Sequence, residues 1–151
     1  MAKFIYRMQS ILDIKVKMEE QARMEFGAAR IRLDEEEEKL NHLIHRKAAY
    51  EEEGRRLRKD ALKVFEILEN RQAIERMDEL ILLQKDAVIR AERVLDEARM
   101  KLQTAMQESK TLEKLKERAF EDFVKELSAQ EAKEVDELTS YTYGQKKAGG
   151  V

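Results

Sequence analysis

Two histidines, His42 and His45, stand three residues apart with Glu38 nearby, a spacing that could bring two imidazoles and a carboxylate to one face of a helix. Such a trio could begin a metal site. Two exposed ligands do not close one, because a structural zinc needs four donors. The chain has no cysteine to supply a thiolate and no glycine-rich loop to cradle phosphate, and no serine sits beside a histidine and carboxylate in a plausible setting. Aspartate and glutamate are plentiful, but general acid or base work needs a desolvated cleft to shift a carboxyl pKa. Paired helices offer no such cleft. The residues therefore predict no enzyme, no cofactor and no metal.

Two charge clusters remain. Asp34–Glu38 is an acidic run that reads either as a binding patch or as a solvated helix face balanced by Lys85, Arg90 and Arg93 across a hairpin, and the second is expected. Arg55, Arg56, Arg58 and Lys59 could hold a phosphate, yet they also suit the carboxyl end of a helix, where cations offset the dipole. Overall, 30 basic and 32 acidic residues leave a net charge of -2, which gives no strong field for nucleic acid or anionic lipid. The longest wholly hydrophobic run, Leu80–Leu83, is far short of the roughly 20 residues that span a bilayer. Met1 to Gln9 lack the apolar core of a signal peptide, so a cytoplasmic protein is expected.

The elements that carry these residues follow from periodicity. Ile67, Ile74, Ile81, Val88, Leu95 and Leu102 recur every seven residues, and Asn70, Met77, Gln84, Ala91, Ala98 and Ala105 each follow three later. That is the a/d seam of a coiled coil. The 151 residues include no proline, 5 glycines and no tryptophan, and 41% are charged, a mixture that suits long helices better than a compact domain. The fold expected is all-α: two long helices in one antiparallel coiled-coil hairpin over residues 1–140.

A first helix is expected over about 4–57. Ile5, Leu12, Phe26, Leu33 and Leu40 take a, and Met8, Ala22, Ala29, Leu43 and Tyr50 take d. Lys15, Glu19, Glu36 and Lys47 break that seam, and Gly27 costs about 1 kcal/mol of helix propensity. From Gly54 the pattern lapses and Asp60 can cap a following helix, which predicts a turn at about 54–62. A second helix should run over about 62–139, followed by a disordered tail, 141–151, rich in glycine and lysine. One antiparallel register sets Phe26 against Ala98, Leu33 against Ala91, Ala22 against Leu102 and Ala29 against Leu95. Large then faces small in each layer. The alternative is a parallel homodimer, a purely structural spacer, which would stack Ala91, Ala98 and Ala105 on their own copies.

In that register residue 4 lies opposite residue 120, and the apolar rhythm of Phe120, Phe123, Leu127, Val135 and Leu138 outruns its partner helix. Such a stripe costs about 25 cal/mol per Å² in water. Phe4, Ile11 and Met18 add a flanking row at the amino end. Farther along, Leu80–Leu83 cover most of the helix circumference, and Ala73, Met77, Leu80 and Gln84 form a row beside the core, near Leu43 and Tyr50. A covering partner is expected at both regions; the alternatives are end-to-end self-association or fraying at the first and a Leu80 that merely flanks the core at the second.

Phe4-Ile5-Tyr6-Arg7-Met8-Gln9-Ser10-Ile11-Leu12-Asp13-Ile14-Lys15 resembles the amino-terminal signature of the flagellar export protein FliJ family. Leu112-Glu113-Lys114-Leu115-Lys116-Glu117-Arg118-Ala119-Phe120, with Phe123, Glu126 and Asp136-Glu137-Leu138, resembles its carboxyl-terminal signature. The resemblance implies a hairpin similar to the rotor stalk of rotary ATPases, working in the flagellar type III export apparatus. It implies three partners: the hexameric export ATPase, the cytoplasmic region of the membrane-embedded export gate, and export chaperones. Phe4, Ile5, Met8, Ile11, Phe120, Phe123 and Leu127 would then meet the ATPase, and Leu43, Tyr50, Met77, Leu80 and Gln84 the gate. Arg46 and Ala73 stand where many members carry an aromatic side chain. The implied location is the inner face of the cell membrane at the flagellar base, reached through partners.

Overall fold

The computed structural model describes residues 2–59 and 63–149, with side chains described as far as Gln145. Among the described residues there are two elements, both helical: α1, Gln9–Lys59, and α2, Val64–Gly149. The chain has no proline, and neither Gly27 nor Gly54 takes a positive φ, so nothing interrupts the hydrogen-bond ladder of either helix.

Three boundaries differ from those the sequence suggests. Helix α1 starts at Gln9 rather than near Phe4: the Gln9 N–H donates to the Tyr6 carbonyl at 3.1 Å, and the residues before it leave the helical path. Gly54 does not break α1, which continues to Lys59 with Arg56, Arg58 and Lys59 in its last turn, where their charge opposes the dipole. Residues 60–62, where the rest of the expected turn falls, lie outside the described residues. Helix α2 passes Thr139 and reaches Gly149, so 141–149 are helical rather than a disordered tail. Within that extension Thr142 Oγ1 donates to the Leu138 carbonyl and Gln145 Nε2 to the Tyr141 hydroxyl, each one turn back. Gly150 and Val151 are outside the described residues.

Two compact units are present, one of Met1–Met18 with Ala105–Val151 and the other of Glu19–Thr104. In each, a segment of α1 packs antiparallel on a segment of α2. The Glu19–Thr104 unit buries Ala22, Ala29, Met77, Ile81, Val88, Ala91, Leu95 and Ala98. One buried cluster there joins Ala29, Leu95 and Ala98, with Phe26 and Leu33 packed on it, so small faces large as the register requires. Arg99 places its guanidinium 6.0 Å from the Phe26 ring centre and covers the outer side of that layer.

The residues that break the heptad turn out to be polar layers with partners. Glu36 is buried at a d position, and the Gln84 amide reaches from the other helix to its backbone carbonyl at 2.9 Å and to its carboxylate. Lys47 pairs with Asp78 across the helices. Asn70, also buried, donates through Nδ2 to the Tyr50 carbonyl at 2.8 Å. Gly54 lies against it, and a β-carbon there would meet Asn70 Oδ1 at 2.5 Å. A polar residue at a or d gives up burial but fixes register, because any other pairing strands its donors and acceptors.

In the other unit the core is smaller: Leu12, Leu112 and the polar Ser109. Lys15 bridges to Glu108 at 2.8 Å, and the Tyr6 hydroxyl donates to the Leu112 carbonyl at 3.3 Å. From residue 128 to Gln145 every side chain of α2 is exposed.

Candidate partner-binding surfaces

The first surface is built around Phe4. Its ring meets Phe120 edge-on, with centroids 5.3 Å apart and planes at 75°, and lies tilted on Phe123 at 5.5 Å. Phe120 and Phe123 share one face of α2 because they are three residues apart, and the non-helical lead lets Phe4 reach both. Of the seven residues expected here, these three are in direct contact. Phe4, Phe123 and Leu127 are half-buried, whereas Ile5 is 77% exposed and Met8, Ile11 and Phe120 also face outward. Ile14, Met18 and Val124 extend the exposed apolar surface. The aromatic trio is therefore a clasp within the unit, and the aliphatic residues beside it remain as exposed apolar surface.

The second surface lies on the Glu19–Thr104 unit. An open groove there is lined by Glu35, Glu38, Lys39, His42, Leu43 and Gln84. Leu43 and Tyr50 are half-buried and Leu80 is 38% exposed. Met77 does not belong to an exposed row: it is 4% exposed and sits in the seam, since its d position points at α1. Gln84 is half-buried, and its amide is committed to Glu36. Leu82 and Leu83 project away from the seam and are more exposed than Leu80.

Electrostatics tie this groove to the seam. The Gln84 amide, helped by Lys39 and Arg32, holds the Glu36 carboxyl below the ordinary carboxylate range, against burial that pushes the other way. Asp78 holds the Lys47 ammonium above its ordinary value. The acidic run around Glu36 is not balanced by the cations the sequence suggested. Arg90 pairs with Asp86 on its own helix, and Glu36 takes its cations from Arg32 and Lys39. His45 Nδ1 donates to the Asn41 carbonyl at 2.7 Å, and among the described residues no group of three potential ligands could hold a metal ion. The polar layer of Glu36 and Gln84 was missed from the sequence as a contact. The heptad alone carries no signal for this contact, because the register pairs a with d and both residues occupy d positions.

A sequence model of the family described as "Flagellar FliJ protein" matches residues 4–148. The chain belongs to the FliJ family. No curated protein matches it. Among solved structures, CT670 from Chlamydia trachomatis, described as a putative YscO homolog, is similar with a TM-score of 0.76 and 22% identity. The match covers 97% of this chain and 99% of that one, and at such identity it speaks for the helical hairpin alone. FliJ-family membership makes the protein a component related to flagellar type III export. No described helix is long and apolar enough to cross a membrane.

Proposed function

We propose that this FliJ-family protein is a non-enzymatic part of the flagellar export apparatus that binds the hexameric export ATPase, contacts the export gate and escorts export chaperones. It works in the cytoplasm at the inner face of the membrane, held there by its partners. The observation that carries the ATPase contact is the clasp of Phe4 on Phe120 and Phe123, which leaves Ile5, Met8, Ile11 and one side of Phe120 as outward apolar surface. A protein lining that covers these side chains gains their burial. An antiparallel helix pair is asymmetric, so inside a six-fold ring it touches the subunits unequally and biases their hydrolysis. The gate contact uses Leu43, Tyr50 and Leu80 beside the groove, with Met77 supporting them from beneath and Gln84 holding the wall through Glu36.

The test is hydrolysis by purified export ATPase with and without this chain, beside Phe120→Ala and Phe123→Ala. Stimulation by the wild type, reduced in both variants at unchanged helicity, supports the reading. No effect on hydrolysis or ring assembly, with no co-elution, removes it. A homodimeric spacer is disfavoured because the seam is filled by the chain's own two helices. Light scattering should accordingly report a 17.8 kDa monomer.

A further inference from the structure

Where α1 ends and α2 begins, basic and apolar side chains share one end of the Glu19–Thr104 unit, and the export reading uses neither. Arg56, Arg58 and Lys59 close α1, all exposed. Val64, Phe65 and Leu68 open α2, and Phe65 is 72% exposed. The contact between Gly54 and Asn70 fixes both sets at this end, five or fewer residues beyond the last polar layer on α1 and at most six before it on α2. Two neighbouring cations are already spent, Arg55 on Glu52 at 3.1 Å and Lys63 on Glu66 at 3.7 Å. Arg56, Arg58 and Lys59 make no ion pair with any described residue.

We propose that this end of the helix pair binds an anionic membrane surface, with Phe65, Val64 and Leu68 entering the headgroup boundary and Arg56, Arg58 and Lys59 meeting lipid phosphates. The near neutrality of the whole chain does not oppose this. At physiological ionic strength charges beyond about 8 Å are screened, so the local excess decides. A basic cluster alone would fit any polyanion. The exposed aromatic and aliphatic trio beside it is what selects a bilayer, because stable attachment to a membrane takes two signals, charge and apolar insertion. Each basic residue near an anionic surface contributes about fivefold in affinity, so three give about a hundredfold. The proposal goes beyond the export reading and does not depend on it.

Sedimentation with vesicles tests it, using phosphatidylcholine alone and phosphatidylcholine mixed with phosphatidylserine. The full chain should sediment with the mixed vesicles and not with phosphatidylcholine alone, and high salt should release it. Glutamate at Arg56, Arg58 and Lys59 together should weaken binding by about a hundredfold or more. Phe65→Ser should weaken it by about tenfold or more at unchanged helicity. Because the chain has no tryptophan, Phe65→Trp supplies a single reporter whose emission should shift to the blue on mixed vesicles. Absence of sedimentation overturns the proposal. So does binding that Phe65→Ser leaves intact and that heparin matches, which would make the cluster a general anion site.

Discussion

Alanine at Gly54 should destabilise the protein, and the same change at Gly27 should stabilise it. Both glycines are helical without positive φ, so alanine gains about 1 kcal/mol of helix propensity at either place. At Gly27 a new β-carbon meets nothing within 4 Å, and the gain should be realised nearly whole. At Gly54 it would come 2.5 Å from Asn70 Oδ1 and 3.4 Å from Asn70 Cγ. The Asn70 amide must swing away and lose its bond to the Tyr50 carbonyl. Leaving a buried polar group unpaired costs about 1–3 kcal/mol. The net change at Gly54 is then a loss of up to about 2 kcal/mol, and the two variants should differ by about 1–3 kcal/mol, which thermal melts resolve at roughly 2–4 °C per kcal/mol for a chain of this size. The assay is thermal and urea unfolding followed by far-UV circular dichroism. A cycle with Asn70→Ala completes it, because Gly54→Ala should cost much less once Asn70 is gone. If Gly54→Ala raised the melting temperature as much as Gly27→Ala, the polar layer would not be the constraint described.

Glu36→Gln should show its effect through pH. Folding lowers the Glu36 carboxyl below its ordinary 4.5, so its contribution is complete above that value and disappears as pH falls through the lower folded value. The gap in melting temperature between wild type and Glu36→Gln should be widest near neutrality and shrink on acidification; a gap independent of pH would contradict the pairing. Met77→Ala should cost about 2–5 kcal/mol because the side chain is buried, whereas Leu80→Ala should cost under about 1 kcal/mol, as equilibrium unfolding can measure. Phe4→Ala removes two ring contacts worth about 0.5–1.5 kcal/mol each. Exchange of the Gln9 amide should accelerate while the Glu19–Thr104 unit stays protected, and unchanged exchange would show that the clasp does not hold the lead.

Much of this fold was legible because the heptad reports burial directly. Ile81, Val88, Leu95, Ala91 and Ala98 sit in the core at the positions their spacing assigned, and the pairing of Ala29 with Leu95 follows from the heptad frame with side-chain volume choosing the register. The errors arose where local signals competed with contacts distant in sequence. Gly54 reads as a breaker to any propensity scale, yet it is the one residue small enough to face Asn70. Phe4 fits the heptad arithmetic of α1, but it lies before the helix begins and meets two aromatic rings more than a hundred residues away. Met77 belongs by spacing both to the seam, at d, and to the row beside it, and its burial assigns it to the seam. The glycine- and lysine-rich stretch after Ser140 carries the composition of a tail, yet it contains no proline and α2 continues through it to Gly149. The apolar surfaces were legible as types of residue. Which of their members would be spent on the protein itself was not, because that depends on the partner helix.

The polar layers of the Glu19–Thr104 unit also bear on how it responds to force. Sliding one helix past the other by a heptad, about 10 Å at 1.5 Å per residue, would separate Asn70 from Tyr50 and Gln84 from Glu36 together. With each stranded group costing about 1–3 kcal/mol, the two strands of the lever are latched against shear. A push delivered to either helix of this unit is therefore passed along both, and a partner gripping one of them feels the displacement of the other.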